Sequence, residues 1–263
     1  MSDPQRPAIP PDSLAPVARL AGQIRSPDFL AGLGQMLEAY FPDISHAAFH
    51  FSAYGRPTLL EHNLDDTLFQ RTLRPYLDGM YLLDPMFQHW EQRRMPGVWS
   101  LDELAPSEFR ASDYFATYYR ELGLHDEASA FFTLGDTECL SLSFGFYQRN
   151  RTLEPTYLLA ILTYLFPLLD ALIRQFWLVS SLHLSAQEEA PSLLQDFGKD
   201  VLSEREREVA WLILRGHGSP EIAQELGITQ GTVKNHRKRL YARLNISSQA
   251  ELFRQFMLFQ QRK

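Results

Sequence analysis

The chain has 263 residues, of which 45% are hydrophobic and 22% charged, so it can bury at least one full core and is not disordered over most of its length. Its net charge of −7 argues against a protein that coats nucleic acid non-specifically. The charge is unevenly spread, because residues 199–263 hold 12 of the 25 basic side chains but only 7 of the 32 acidic ones. Only this C-terminal part has the sign that phosphate attracts.

The single cysteine, Cys139, excludes a disulfide within the chain and a metal site built from several thiolates. No basic segment followed by an apolar run opens the sequence, so we expect no secretory signal. The apolar stretch 157–173 contains Pro167 and Asp170 and is shorter than the roughly 20 residues of a membrane span, which favours a buried helix. We therefore expect a cytoplasmic protein without membrane contact, metal or cofactor.

Strand pairs alternate with helices along the first 184 residues. After a proline-rich arm at 4–11, Ser26 as N-cap and Pro27 predict a helix up to residue 40. Two pairs of short alternating segments, each joined by turn residues, predict two antiparallel strand pairs. The predicted strands are 46–54 with 58–63, 127–134 with 139–147, and a short strand at 98–101; the further helices are 64–78, 85–94, 107–122 and 153–183.

This order predicts an α+β fold, because locally paired strands form an antiparallel sheet rather than a parallel βαβ array. We expect an α-β-α sandwich over residues 1–184, followed by an all-α domain of four helices over 201–263. Residues 185–200 lose periodicity and contain Pro191 and Gly198, so they are the predicted linker.

The C-terminal residues show the signals of a helix-turn-helix motif. Ser203 and Glu206 form a capping box at the start of one helix, which Gly216 ends. A second helix starts near Ser219, and a third follows Thr229 and continues to about residue 244. The second and third helices, joined by a short glycine-containing turn, form the motif. In such a motif the later helix lies in the DNA major groove.

The outer face of the third helix is basic. Lysine and arginine suit guanine edges and phosphates, and asparagine suits adenine. The alternative is a solvated basic helix face, which would not require the preceding turn and buried pattern. The predicted DNA-contacting residues are Thr229, Gln230, Thr232, Lys234, Asn235, Arg237 and Lys238.

Residues 202–252 resemble the LuxR-type (GerE-type) helix-turn-helix domain of bacterial transcription regulators. The matching positions include Leu202, Arg205, Glu206, Glu208, Val209, Gly216, Ile222, Ala223, Leu226, Thr232, Val233, Lys234, His236, Leu244 and Ala250. The resemblance implies binding to double-stranded promoter DNA and a last helix, here about 248–258, that forms a homodimer with Phe256 at its interface. Packing of that helix on the N-terminal domain is the alternative, and RNA polymerase is a further candidate partner.

The N-terminal region shows no catalytic motif. A phosphate-binding glycine loop, a GxSxG sequence and an HExxH sequence are all absent, and Cys139 fits a buried structural thiol in a strand. The acidic pair and parallel repeats of a phospho-receiver are absent too. We therefore expect neither an enzyme nor a receiver domain.

Residues 81–104 are similar to the autoinducer-binding domain of quorum-sensing LuxR proteins, since Asp84-Pro85 is followed by Trp99 fifteen residues later. In that family the aspartate accepts a hydrogen bond from the ligand amide and the tryptophan shapes the pocket. The family's upstream Trp and Tyr would fall at Arg71 and Pro75, with Tyr76 or Tyr81 as replacements after a small shift. The resemblance therefore implies a "solo" receptor, or a related GAF-like sensor, for a molecule other than an acyl-homoserine lactone.

The expected ligand pocket is aromatic with one carboxylate, which suits an amine, an amide or a quaternary ammonium group. Aromatics at this spacing also occur in plain cores, and Asp84 could serve only as the N-cap of the next helix. The candidate ligand residues are Tyr76, Tyr81, Asp84, Phe87, Trp90, Trp99, Tyr114, Phe115 and Tyr118. The sequence thus indicates a ligand-responsive regulator; a protein-interaction module without a small-molecule ligand is the alternative.

Overall fold

A computed structural model of the chain describes residues 14–52, 55–147, 154–180 and 196–260. The helices of the N-terminal part are α1 (Ala15–Gly22), α2 (Phe29–Tyr40), α3 (Asp66–Arg71), α4 (Leu73–Leu77), α5 (Pro85–Arg93), α6 (Leu101–Leu104) and α7 (Pro155–Val179). The strands are β1 (Ser45–Ser52), β2 (Thr58–His62), β3 (Gly97–Ser100), β4 (Leu124–Thr133) and β5 (Glu138–Tyr147). The C-terminal helices are α8 (Glu204–Leu214), α9 (Ser219–Glu225), α10 (Gln230–Leu244) and α11 (Gln249–Gln260).

The five strands form one antiparallel sheet in the order β2-β1-β5-β4-β3. The two hairpins predicted from the sequence, β1 with β2 and β4 with β5, are therefore confirmed, as is the short strand β3. Strand β5 lies at the centre, where Phe49 of β1 pairs with Ser141 and Phe131 of β4 pairs with the same serine. The central position of β5 buries both of its faces.

Helices cover both faces of this sheet, which confirms the α-β-α sandwich. On one face α1, α2 and α7 pack on alternate strand residues; the Phe29 and Phe176 rings stack 4.2 Å apart. On the other face lie α3 to α6 and a π-helical segment at Phe115–Arg120, which pack against Phe49, Phe51 and their neighbours. The alternation of side chains along the strands supplies an apolar set to each face.

Helix α7 is the buried helix predicted from the apolar stretch, although only one of its faces is covered. Leu158, Leu165 and Ile173 lie on the sheet, whereas Tyr164 and Leu168 are exposed. Its length and composition would also permit a membrane span, but a core helix of a soluble protein meets the same criterion.

Three predicted helices differ from the structure, and one of them, expected over 64–78, is divided at Thr72 into α3 and α4. The helix expected after Ser26 begins at Phe29, because the Asp28 amide donates to the Ser26 hydroxyl and residues 26–28 form a turn. The helix expected over 107–122 is divided into a 3₁₀ turn at Phe109–Ala111 and the π-helical segment. Ser112 has extended backbone angles, and its hydroxyl accepts from the amide of Phe115, so it separates the two pieces.

The C-terminal helices α8 to α11 form the predicted four-helix unit. Phe197 lies in the segment predicted to be a linker, yet it is buried and its ring packs edge-on against Phe256. The packed unit therefore begins earlier than residue 201. The proline-rich arm at 4–11 and residues 185–195 of the predicted linker lie outside the described residues.

The turn between α8 and α9 contacts the N-terminal part. The Glu108 amide donates to the carbonyl of Gly216, and Arg215 donates through Nε to the carbonyl of Leu82 at 3.3 Å. Gly216 has a φ of +83°, and a Cβ there would lie 2.8 Å from the Cα of Phe109. Only glycine combines this backbone conformation with this close approach.

Candidate functional sites: a DNA-binding helix and a buried cavity

Helix α10 is held at a defined angle to α8 and α9 by its first residues and its buried side chains. The Thr229 hydroxyl caps it by accepting from the Thr232 amide at 3.1 Å, as predicted. Val233 and Leu240 are fully buried beneath it, and Gly227 in the turn before it has a φ of +64°. The helix-turn-helix arrangement predicted from the sequence is thus present.

The solvent-facing side of α10 is positively charged, since the helix contains five basic and no acidic residues. Arg237 donates to the Tyr241 hydroxyl at 3.2 Å and lies over that ring, which fixes the direction of its guanidinium. Five of the seven predicted DNA contacts are exposed and two are half-buried: Thr229, Gln230, Lys234, Asn235 and Lys238 in the first group, Thr232 and Arg237 in the second. The exposed set matches the requirements of phosphate and base-edge contacts.

A buried carboxylate links α8 to α10. Glu206 accepts from the Ser203 amide and from Arg243 of α10 at 2.9 Å. Burial opposes the charge of Glu206, but these hydrogen bonds and the nearby cation outweigh it, so the pKa of the carboxyl is lowered. Arg243 also donates to the carbonyl of Val201. The position of α10 therefore depends on an ion pair on its inner side.

The structure corrects one expectation about α11. Phe256 was predicted to lie at a dimer interface, but its side chain is fully buried within the chain, 5.1 Å from the ring of Trp211. The apolar residue of α11 that does reach the surface is Leu258, which is 48% exposed. The apolar side of α11 is therefore partly covered by α8 and Phe197.

The second candidate site is a cavity of about 60 Å³ between the sheet and the helical layer that contains α4. The apolar and backbone part of its lining includes Ala47, Phe49, Leu64, Leu73, Leu124 and Gly145. Its polar lining consists of Ser45, His46, Thr72, Tyr76, Asp84, Tyr114, Tyr118, Glu127, Ser143 and Tyr147. Four of the nine predicted ligand residues are among them: Tyr76, Asp84, Tyr114 and Tyr118.

The other five predicted ligand residues do not line this cavity, and their role as ligand contacts stays a prediction. Tyr81 and Phe87 pack edge-on against each other, with Phe87 directed at Phe51 of the sheet. Trp90 packs near Phe131, Trp99 packs on His89 with ring centroids 4.5 Å apart, and Phe115 stacks on Tyr119. These aromatics belong to the core that surrounds the cavity, because helical spacing alone does not separate lining from packing residues.

Asp84 has both of the roles that the sequence left open. Its carboxylate caps α5 by accepting from the amides of Met86 at 2.9 Å and Phe87 at 3.3 Å. It also accepts from the Tyr76 hydroxyl at 2.8 Å, inside the cavity. Burial raises the pKa of Asp84 to about 6, although these three hydrogen bonds act in the opposite direction. A single carboxylate therefore orients both a helix and a cavity-lining phenol.

The cavity contains a second carboxylate, which the sequence did not predict. Glu127 of β4 accepts from the Tyr119 hydroxyl at 2.6 Å, and burial together with the charge of Asp84 raises its pKa to about 8. The available signal was strand alternation, since Glu127 shares a face with Phe131, whose side chain is fully buried. An acidic residue on the inward face of a strand requires a partner or a function.

A basic helix on a helix-turn-helix scaffold, joined to an α-β-α sandwich, is typical of bacterial one-component transcription regulators. The family model of bacterial regulatory proteins of the luxR family matches residues 200–256. A protein of Aeromonas salmonicida, assigned as an HTH-type transcriptional regulator in the exeN 3′ region, is 37% identical over 184 residues, 66% of this chain and 93% of its own length. The chain belongs to the LuxR family of transcription regulators.

A further curated relative matches a shorter part of the chain. The transcriptional regulatory protein MctR of Rhizobium johnstonii is 46% identical over 57 residues, which are 22% of this chain and 27% of its own length. Among solved structures, the VqsR LBD domain of Pseudomonas aeruginosa has a TM-score of 0.53 at 23% identity and covers 64% of this chain and 97% of that chain. This likeness shows that the two proteins share the fold of the N-terminal part. SdiA of Escherichia coli covers 92% of this chain and 94% of its own at 16% identity and a TM-score of 0.41.

Proposed function

We propose that this transcription regulator responds to a small molecule bound in the N-terminal cavity and binds promoter DNA through the exposed face of α10. In this proposal residues 1–184 sense the ligand, 185–200 connect the two parts, and 201–263 bind DNA as a homodimer in the cytoplasm. The DNA-binding role is supported by the five basic residues of α10, which lie on a capped helix in the helix-turn-helix position. The sensing role is supported by the buried polar cavity with its Tyr76–Asp84 hydrogen bond.

The DNA-binding residues lead to a first prediction. Lys234→Ala and Lys238→Ala are each expected to weaken binding to the specific operator by about 1–3 kcal/mol, because each removes an exposed cation from the groove-facing side of α10. If the replaced lysine contacts phosphate only, its loss also reduces the magnitude of the slope of log affinity against log salt by about one. The operator is first identified by sequencing the DNA that the protein retains. Fluorescence anisotropy with this DNA then measures the affinity and its salt dependence.

Lys199→Ala is the matched control, because Lys199 is an exposed lysine outside the four helices of the C-terminal part. It should leave the affinity within about 0.5 kcal/mol of the wild-type value. The operator is expected to be an inverted repeat with half-sites about one helical turn apart. Unchanged binding by both α10 variants would remove the assignment of α10 as the DNA-reading helix.

A short path of contacts supports coupling between the cavity and the DNA-binding part. Tyr76 in the cavity donates to Asp84, which directly follows the 3₁₀ turn that carries Leu82. The carbonyl of Leu82 accepts from Arg215, whose guanidinium also lies 3.7 Å from Glu91. A ligand that moves Tyr76 therefore acts on the segment that holds the turn between α8 and α9.

The sensing role leads to a second prediction. Asp84→Asn retains the helix cap, since asparagine caps about as well as aspartate, but it replaces the charged acceptor of the Tyr76 hydroxyl by a weaker neutral one. We expect the variant to stay folded and to lose most of the stabilisation that a cavity ligand gives; for the wild type this is about 2.7 kcal/mol at a concentration of 100 times Kd. Thermal unfolding with a metabolite panel measures the difference.

Asp65→Asn is the control for this experiment, because Asp65 also caps a helix by accepting from the Leu68 amide but does not line the cavity. It should leave ligand-induced stabilisation intact. If Asp84→Asn behaves in the same way, Asp84 serves as a helix cap only. A panel that changes neither the unfolding temperature nor operator binding would favour a protein-interaction role for the N-terminal part.

A further inference from the structure

The cavity has two carboxylates and no side-chain cation to balance them. Asp84 faces it from the helical layer and Glu127 from β4 of the sheet. No lysine or arginine is found among its lining residues within the described ranges. His46 lines the cavity too, but its Nε2 lies 3.0 Å from Glu61, a residue outside the cavity. A buried carboxylate without a counter-charge costs several kcal/mol, and here the buried Asp84 and the half-buried Glu127 share one small space.

The hydrogen bonds of these groups leave capacity for a further partner. Asp84 accepts from three donors, whereas Tyr119 is the one side chain in the described part that donates to Glu127. Two oxygens of a carboxylate provide about four acceptor positions, so Glu127 has several to spare. The hydroxyl of Tyr114, fully buried in the cavity wall, has no hydrogen-bond partner among the described residues. The cavity therefore presents an open acceptor next to an unpaired phenol.

Tyrosine rings form much of the remaining wall. Tyr114 and Tyr118 stack with centroids 5.4 Å apart, and Tyr76 lies 6.3 Å from Tyr118. The faces of such rings carry partial negative charge and attract cations, more strongly where water is excluded. Ring faces and carboxylates thus favour the same sign of ligand charge.

The size of the cavity limits the ligand. About 60 Å³ is well below the ~150 Å³ of an engineered cavity that binds benzene. In this form of the protein the space accepts a group of a few non-hydrogen atoms, and a long acyl chain would require the wall to open. The described residues also contain no group of three or more metal-ligating side chains, which a protein site for a divalent cation would normally use.

We propose that the cavity binds a small organic cation, whose protonated amine or ammonium group lies between Asp84 and Glu127 and against the tyrosine rings. This proposal rests on the ligand-responsive function proposed above. The cation supplies the missing counter-charge, and an N–H of a protonated amine donates to the open oxygen of Glu127. This assignment excludes the neutral amide among the three ligand groups that a single carboxylate among aromatics would accept.

Proton release accompanies the binding of such a cation. The titratable groups that line the cavity, contact its carboxylates or act on their charge are His46, Tyr76, Asp84, Tyr114, Tyr118, Tyr119, Asp126, Glu127 and Tyr147. The pKa of Glu127 is raised to about 8 and that of Asp84 to about 6, so the free cavity retains protons near neutral pH. A cation favours the ionised carboxyls, and the affinity for it therefore rises as the pH increases from 6 to 8.

The test compares two probes of nearly equal size on the full-length protein. Propylammonium chloride is the charged probe, n-propanol is its neutral counterpart, and sodium chloride controls for ionic strength. Thermal unfolding, calorimetric titration and operator binding are recorded at pH 6 and pH 8 with the wild type, Glu127→Gln and Glu121→Gln, and N-octanoyl-homoserine lactone is tested as a third compound. Glu121 is exposed and does not line the cavity, so its variant removes an equal charge elsewhere.

Propylammonium is expected to stabilise the wild type and Glu121→Gln with saturation, more strongly at pH 8, whereas n-propanol is not. Glu127→Gln should bind it about tenfold more weakly at pH 8. An equal response to both probes, or full retention of propylammonium binding by Glu127→Gln, overturns the cation assignment. Stabilisation by N-octanoyl-homoserine lactone but not by propylammonium also overturns the cation assignment, although the proposed ligand-responsive function then stands. If none of the compounds changes operator binding, the proposed function itself is contradicted.

Discussion

Replacement of Phe256 by alanine is expected to lower the free energy of unfolding of the C-terminal helices by about 3–5 kcal/mol. The phenylalanine ring is fully buried and packs edge-on against Trp211 and Phe197, so its removal leaves a cavity at the centre of this small unit. A charged replacement, Phe256→Asp, should unfold these helices and abolish operator binding. Chemical denaturation followed by tryptophan fluorescence measures the effect, since Trp211 lies directly beside the site.

Leu258→Ala is the matched control two residues further along α11, because the Leu258 side chain is 48% exposed. We expect it to change the stability by no more than about 0.5 kcal/mol. It is also the better variant to examine for a homodimer that forms through α11, since it changes the surface without changing the core. A Phe256→Asp protein that remains folded and monomeric would instead restore the interface role expected from the sequence.

Glu127→Gln is expected to make the ligand-free protein more stable above pH 8, by about 1–3 kcal/mol. The pKa of Glu127 is about 8 in the folded chain and 4.5 in an ordinary environment, so the folded state binds a proton more tightly than the unfolded state. The wild-type free energy of unfolding therefore falls as the pH rises from about 4.5 to 8. Glutamine carries no charge at any pH, and it retains an acceptor for the Tyr119 hydroxyl.

The difference between variant and wild type should shrink towards zero near pH 5, where the folded carboxyl of Glu127 is protonated. Glu121→Gln provides the control, because the side chain of Glu121 is exposed and its replacement should not alter the pH profile. Asp84 contributes a decline of the same sign between about pH 4 and 6 in every variant. A pH profile of Glu127→Gln that runs parallel to the wild-type profile would show that the burial of Glu127 carries no cost.

The C-terminal part could be predicted almost completely from its residues. Its helix boundaries depend on local signals, such as the capping box at Ser203 and the Thr229 cap, and these act within four residues of each other. The exposed side of α10 follows from helical periodicity once Val233 is placed inwards. What the sequence could not decide was which apolar residues of α11 are covered, because that depends on Phe197 and Trp211 from other elements.

The N-terminal fold was also predictable, because each hairpin joins neighbouring segments and strand alternation supplies the two apolar faces. The cavity was not. It brings together Tyr76, Asp84, Tyr114 and Glu127 from four separate elements, and no periodicity within one element reports such a meeting.

By itself the sequence determined the order of strands and helices, the helix-turn-helix, the basic face of α10 and the helix cap at Asp84. Local hydrogen bonds and the alternation of apolar residues dictate these features, and both are written in neighbouring positions. Only the tertiary structure decided that Glu127 shares the cavity with Asp84, that Trp99 lies outside it, and that Phe256 is internal. The reason is physical: side chains far apart in the chain become neighbours only when the sheet and helices pack, and burial and pKa are then set by that packing.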